Sequence, residues 1–159
     1  MRRRVDAEGT PVGKESARCA ASSILTAVTA VPDAPVLVID DEPDVREAAV
    51  AVFESEGYSA VGANNGRVAY DLLRTGSVRP CIIVLDLMMP VMDGWGFRAV
   101  QMCDPHLADI PVIVLSAAGR FDVAAAAESL RAVAGMEKPV DWDELLRLVD
   151  EYCRRPTIH

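Results

Sequence analysis

The chain lacks several features that would point to common chemistries. It has no excess of base: 16 Lys and Arg stand against 24 Asp and Glu, for a formal net charge of −8. A nucleic-acid backbone is bound by a basic face, so no nucleic-acid partner is expected. No apolar run approaches the roughly 18 residues of a membrane span, so no membrane partner is expected either. The four cysteines, at 19, 81, 103 and 153, include no CxxC pair. That spacing argues against a zinc site or redox motif, and reduced cysteines in a cytoplasmic protein are the expectation. His106 and His159 have no evident sequence partners and read as surface residues. The start MRRR precedes a moderately apolar stretch at 17–31. Asp6, Glu8 and Glu15 interrupt the basic part, and Ser and Thr dilute the apolar part, so it does not read as a secretory leader.

What is present is a soluble globular composition: 159 residues, 51% hydrophobic and 25% charged. That is one domain with a complete core. The expected organisation is a flexible N-terminal extension over 1–34, one domain over 35–153, and a C-terminal tail over 154–159.

From residue 35 strand-length apolar runs alternate with segments of helical period, the pattern of a parallel sheet covered by helices. VLVI (36–39) is the first strand. In the helix predicted over 44–57, Val45, Ala48, Ala49, Val52 and Phe53 share a face. Asp44 and Glu47 have capping-box spacing there, and Gly57 stands at a C-cap position. Residues 58–63 read as strand two. A helix follows, capped by Asn64 or Asn65, with Val68, Ala69, Leu72 and Leu73 on one face. CIIVLDL (81–87) is apolar on both faces, as a central parallel strand should be. A turn-rich loop (88–94) leads to a helix near 95–102. Residues 111–117 form strand four and 121–133 a helix whose alanines blur its period. AGME (134–137) is a short fifth strand, and a helix begins at Asp141, with Asp141 and Glu144 at capping-box spacing. Trp95 and Trp142 read as packing residues. The fold class is α/β, a doubly wound (βα)5 parallel sheet.

Ligands of open parallel sheets bind beyond the carboxyl ends of the strands. Strand one runs into Asp40-Asp41-Glu42, strand three ends near Asp86, strand four ends at Ser116, and strand five runs into Lys138. In the flavodoxin-like strand order 2-1-3-4-5 these side chains converge on one rim. Acids crowded there repel one another and cost free energy to bury. A hard divalent cation offsets that cost, and magnesium commonly takes one or two carboxylates plus phosphate oxygens. Asp86 lies mid-pocket, where it could attack phosphorus and form an aspartyl phosphate, with Lys138 and the Ser116 hydroxyl on the phosphoryl oxygens. Each residue also has a plainer reading. Asp40 and Asp41 could be acids at a helix start, Ser116 an ordinary strand-end serine, and Lys138 a solvated surface lysine.

The motifs VLVIDDE (36–42), VLDLMMPVMDG (84–94), VIVLSA (112–117) and EKPVD (137–141) together resemble the receiver domains of two-component response regulators. The spacings suit the family, with 30 residues from Asp86 to Ser116 and 22 from Ser116 to Lys138. The resemblance implies a phosphoacceptor at Asp86. It implies Mg2+ held by Asp40, Asp41, Asp86 and the backbone carbonyl of Met88, with Asp41 a more direct ligand than Asp40. Ser116 matches the Thr/Ser that contacts the phosphoryl group, and Lys138 the active-site lysine, whose bond to the next proline is often cis. Pro90 and Gly94 match the loop after the phosphoacceptor. The implied donor is a sensor histidine kinase or a histidine phosphotransfer protein. The implied output is binding of a downstream protein on the face of helix four, strand five and helix five, by a stand-alone receiver of the chemotaxis-regulator type.

Two departures stand out. Family members usually carry Tyr or Phe three residues before the lysine as a rotamer switch, and here that position is Gly135. Gly135 reads either as a loss of the switch or as local flexibility. Met88 and Ala118 occupy positions flanking the path of the hydrolytic water and cannot orient it, so autodephosphorylation should be slow. Two other functions compete. A degenerate receiver would act only as a binding scaffold. A magnesium-dependent hydrolase with an aspartate nucleophile would need a second acid two residues on, but Asp86 is followed by Leu87 and Met88.

Overall fold

The computed structural model describes residues 34–120 and 122–153. The expected extension, apart from Ala34, and the tail lie outside the described residues, as do Cys19 and His159. Five strands form one parallel sheet: β1 (Val36–Ile39), β2 (Ala60–Ala63), β3 (Ile82–Asp86), β4 (Val112–Ala117) and β5 (Ala134–Lys138). Their order is β2-β1-β3-β4-β5, as expected for a flavodoxin-like (βα)5 fold. The helices are α1 (Pro43–Ser55), α2 (Gly66–Arg74), α3 (Gly94–Met102), α4 (Val123–Ser129) and α5 (Trp142–Tyr152). Among the described residues no helix is long and apolar enough to cross a membrane.

Alternation along the strands builds two core layers. Leu37, Ile39, Ile83, Leu85, Val112 and Val114 face one way and pack with Ala69 and Leu73 of α2, Phe97 of α3, and Ala126 and Ala127 of α4. Val36, Val38, Ile82, Val84, Ile113 and Leu115 face the other way, against Ala49 and Phe53 of α1 and Leu145, Leu148 and Val149 of α5. Both Trp readings hold: Trp142 meets Phe53 edge-to-face at 6.3 Å, and Trp95 is partly buried against the first layer.

The local differences have physical causes. α1 starts at Pro43, whose missing N–H costs nothing at a helix start. Asp44 is therefore inside the helix, and no side chain caps α1 at its N-cap, Glu42. Val45 and Val68, expected on buried faces, are 38% and 40% exposed. Asn65, Asp93, Asp122 and Asp141 cap the other four helices by accepting backbone N–H bonds. α4 is shorter than its alanine run suggested. Arg98, only 4% exposed, donates to the Leu130 carbonyl at 2.7 Å and the Arg131 carbonyl at 2.9 Å. Its third bond, 2.8 Å to Gln101 Oε1, gives the buried cation a further neutral oxygen partner.

The cysteine expectation is corrected. Cys81, just before β3, and Cys153, the C-cap of α5, form a disulfide with a Cα–Cα distance of 5.3 Å. Only Cys103 is a free, exposed cysteine among the described residues.

Candidate functional site

The site is assembled by strand ends. Asp40 follows β1, and its backbone N–H continues the ladder to Ala63 O at 3.1 Å. Its side chain is buried and doubly held: Oδ1 accepts the Glu42 N–H at 2.9 Å and Oδ2 accepts from Lys138 Nζ at 2.8 Å. Asp41 is half-buried beside it. Asp86 ends β3, its side chain only 8% exposed. Its carboxylate lies 3.6 Å from Lys138 Nζ and accepts a long 3.4 Å bond from the Met88 N–H. Carboxylate oxygens of Asp40, Asp41 and Asp86 all lie within 4.8 Å of one another.

Ser116 is fully buried on β4, and among the described residues its hydroxyl has only a 3.3 Å contact to the Ala117 carbonyl. Strand pairing sets Ser116 against Glu137 and Ala117 against Lys138, while Asp86 pairs with Leu115. The Lys138–Pro139 bond is cis, as the resemblance implied. Met88 is 41% exposed in the loop after Asp86. A Cβ on Gly94 would stand 2.8 Å from the Asp86 carbonyl oxygen, so glycine lets α3 begin directly against the end of β3.

The electrostatics are those of crowded acids. Burial pushes the Asp86 carboxyl up to about 6, Lys138 opposes the shift, and the charges of Asp40 and Asp41 add to it. Burial works against the Lys138 ammonium, but its bond to Asp40 and the charges of Asp86, Asp40 and Glu42 prevail and raise its pKa. The result is a fixed cation among carboxylates that are short of positive charge. Hard oxygens at this separation suit Mg2+.

Gly135 is neither loose nor open. A Cβ there would lie 2.7 Å from the Val123 carbonyl oxygen and 3.0 Å from Ala127 Cβ, so α4 packs directly onto β5 at this point. His106 is exposed, as expected. Sequence reasoning missed Arg46, whose Nη1 donates to the Asp40 carbonyl at 2.8 Å. A signal was present: Arg46 is the only base between 40 and 47, in the first turn of a helix, where the macrodipole disfavours cations.

The model of the response regulator receiver domain matches residues 36–150. The chain belongs to this family. Regulatory protein AtoC of Escherichia coli (strain K12) is 33% identical over 114 residues, covering 72% of this chain and 24% of AtoC. Sporulation initiation phosphotransferase F of Bacillus subtilis (strain 168) is 32% identical over 118 residues, covering 74% of this chain and 91% of that protein. The response regulator TrrA of Thermotoga maritima, solved in complex with Mg(2+)-BeF, superposes with a TM-score of 0.62 at 27% identity, covering 74% of this chain and 97% of that one. This receiver is thus a two-component signalling domain, of a family characterised by phosphorylation on Asp and by Mg2+.

Proposed function

We propose that Asp86 accepts a phosphoryl group from the phosphohistidine of a sensor histidine kinase or a histidine phosphotransfer protein. An Asp86 carboxylate oxygen attacks phosphorus, the bond to the donor imidazole breaks, and an acyl phosphate remains on Asp86. The observation that carries this reading is a buried strand-end carboxylate, clustered with two other acids and 3.6 Å from a lysine ammonium. With its pKa near 6, Asp86 is mostly ionised at neutral pH and able to attack.

Asp40, Asp41, Asp86 and the Met88 carbonyl would hold Mg2+. When bound, the ion neutralises charge on the transferring group. Lys138 pairs with a phosphoryl oxygen, since its ammonium is already anchored on Asp40. Ser116 donates its hydroxyl to another, and its single weak contact leaves it ready to do so. These groups position and neutralise, which is most of what phosphoryl transfer requires.

The domain's own turnover is limited to slow autophosphorylation and autodephosphorylation, and it acts in the cytoplasm beside its kinase. Output is phosphorylation-dependent binding of a protein on the face of α4, β5 and α5. The lack of an aromatic side chain at Gly135 favours one other reading, a scaffold that binds partners without being phosphorylated. Intact-protein mass after incubation with acetyl phosphate separates the two. One base-labile phosphoryl adduct should form with Mg2+ and be absent without Mg2+ or in Asp86→Ala. No adduct under any condition would leave the scaffold.

A further inference from the structure

Asp40 is held at four points, and three of them belong to the site or to the sheet. Its N–H bonds β2, and its carboxylate oxygens take the Glu42 N–H and the Lys138 ammonium. The fourth is its carbonyl, which lies past the end of the β1 ladder and needs a donor of its own. Arg46 Nη1 provides it at 2.8 Å. The arginine reaches there by laying its stem across β2. A Cβ on Gly62 would stand 2.9 Å from Arg46 Cδ and 3.0 Å from Cγ, so a side chain there would push the arginine stem off this path.

We infer that Arg46, guided by Gly62, is a positioning residue for the metal-binding acids: it clamps the peptide between Asp40 and Asp41 and so aims the Asp41 carboxylate into the cluster. This rests on the magnesium reading above. Groups that orient metal ligands without touching the metal commonly change affinity by about 10- to 100-fold when removed. The sign separates position from charge. Removing a cation from beside a cation site should strengthen Mg2+ binding if Arg46 acts only through its charge. It should weaken binding if Arg46 acts through geometry.

The test is calorimetric titration of the full chain with MgCl2, with thermal midpoints recorded alongside. Arg46→Ala should weaken Mg2+ by about 10-fold or more, and Arg46→Lys, which keeps a donor, should recover part of the loss. Gly62→Ala should weaken Mg2+ in the wild-type background and have no further effect in Arg46→Ala, because no stem remains to be displaced. If Arg46→Ala does not fold, Gly62→Ala is compared in wild type and in Arg46→Lys, which keeps the Cγ and Cδ that pass Gly62; Mg2+ should weaken in both, and no effect of Gly62→Ala in either overturns the inference. Unchanged or tighter Mg2+ binding by Arg46→Ala overturns the inference, as does an equal Gly62→Ala effect in wild type and in Arg46→Ala. Wild type that binds no Mg2+ overturns the magnesium reading itself, and the inference with it.

Discussion

Replacing Asp86 by asparagine should stabilise the metal-free protein at neutral and alkaline pH. Burial and the neighbouring acids lift the Asp86 carboxyl from its ordinary 3.8 to about 6. That gap corresponds to about 3 kcal/mol of preference for the protonated form. Above pH 7 the carboxyl is ionised in both folded and unfolded chains, and the folded state bears the whole penalty. As pH falls through 6 the folded state takes up a proton the unfolded chain does not yet bind, and stability is regained. Below 3.8 both are protonated and the penalty is gone. The side chain is only 8% exposed, so solvent screening does not erase the effect. Urea unfolding in EDTA from pH 4 to pH 8 measures it. The stability difference between Asp86→Asn and wild type should grow with pH to about 3 kcal/mol. Mg2+ should then stabilise wild type more than the variant. A difference that stays flat from pH 4 to pH 8 would refute the crowded-acid argument.

Three further outcomes follow from the packing and the site. The Cys81–Cys153 bond closes a separation of 72 residues, so Cys81→Ser with Cys153→Ser should cost about 4 kcal/mol in denaturant unfolding under non-reducing conditions. No difference between this variant and wild type would mean the bond does not hold the fold. Gly135→Ala must push the Val123 backbone away from β5. Overpacking of this kind costs about 1–3 kcal/mol, and a midpoint equal to wild type would show that α4 yields freely. The acyl phosphate on Asp86 should persist for many minutes after donor removal, because Met88 and Ala118 offer no side-chain polar group to a hydrolytic water. Mass spectrometry over time checks this, and decay within seconds would contradict it.

The legible parts of the molecule were those written in local pattern. VLVI and CIIVLDL are apolar on both faces, so they had to be central strands, and the residues at their ends had to meet if the sheet was parallel. Asp40, Asp41, Asp86 and Lys138 do meet, and Asn65 and Asp141 cap helices because cap chemistry is local. What the sequence hid depends on distant partners. The Cys81–Cys153 pair joins the start of one strand to the end of the last helix, and no spacing rule announces it. α4 ends early because Arg131 turns to a positive φ of 54° and Ala132 N–H folds back onto the Ala127 carbonyl, while Arg98, on another helix, holds the Leu130 and Arg131 carbonyls just past the end. Gly135 looked permissive on paper, yet it is the point where a helix backbone meets the sheet. Arg46 had no reading of its own in the sequence, although its place in the first turn was already against the dipole.

The most direct test of the central claim is to trap the phosphorylated residue. The protein is incubated with acetyl phosphate and Mg2+, reduced with borohydride, digested and sequenced by mass spectrometry. An acyl phosphate on aspartate is reduced to homoserine, so the peptide containing residue 86 should carry homoserine there, and only when donor and Mg2+ were both present. Homoserine at another acid, or none anywhere, would contradict the assignment of Asp86 as phosphoacceptor.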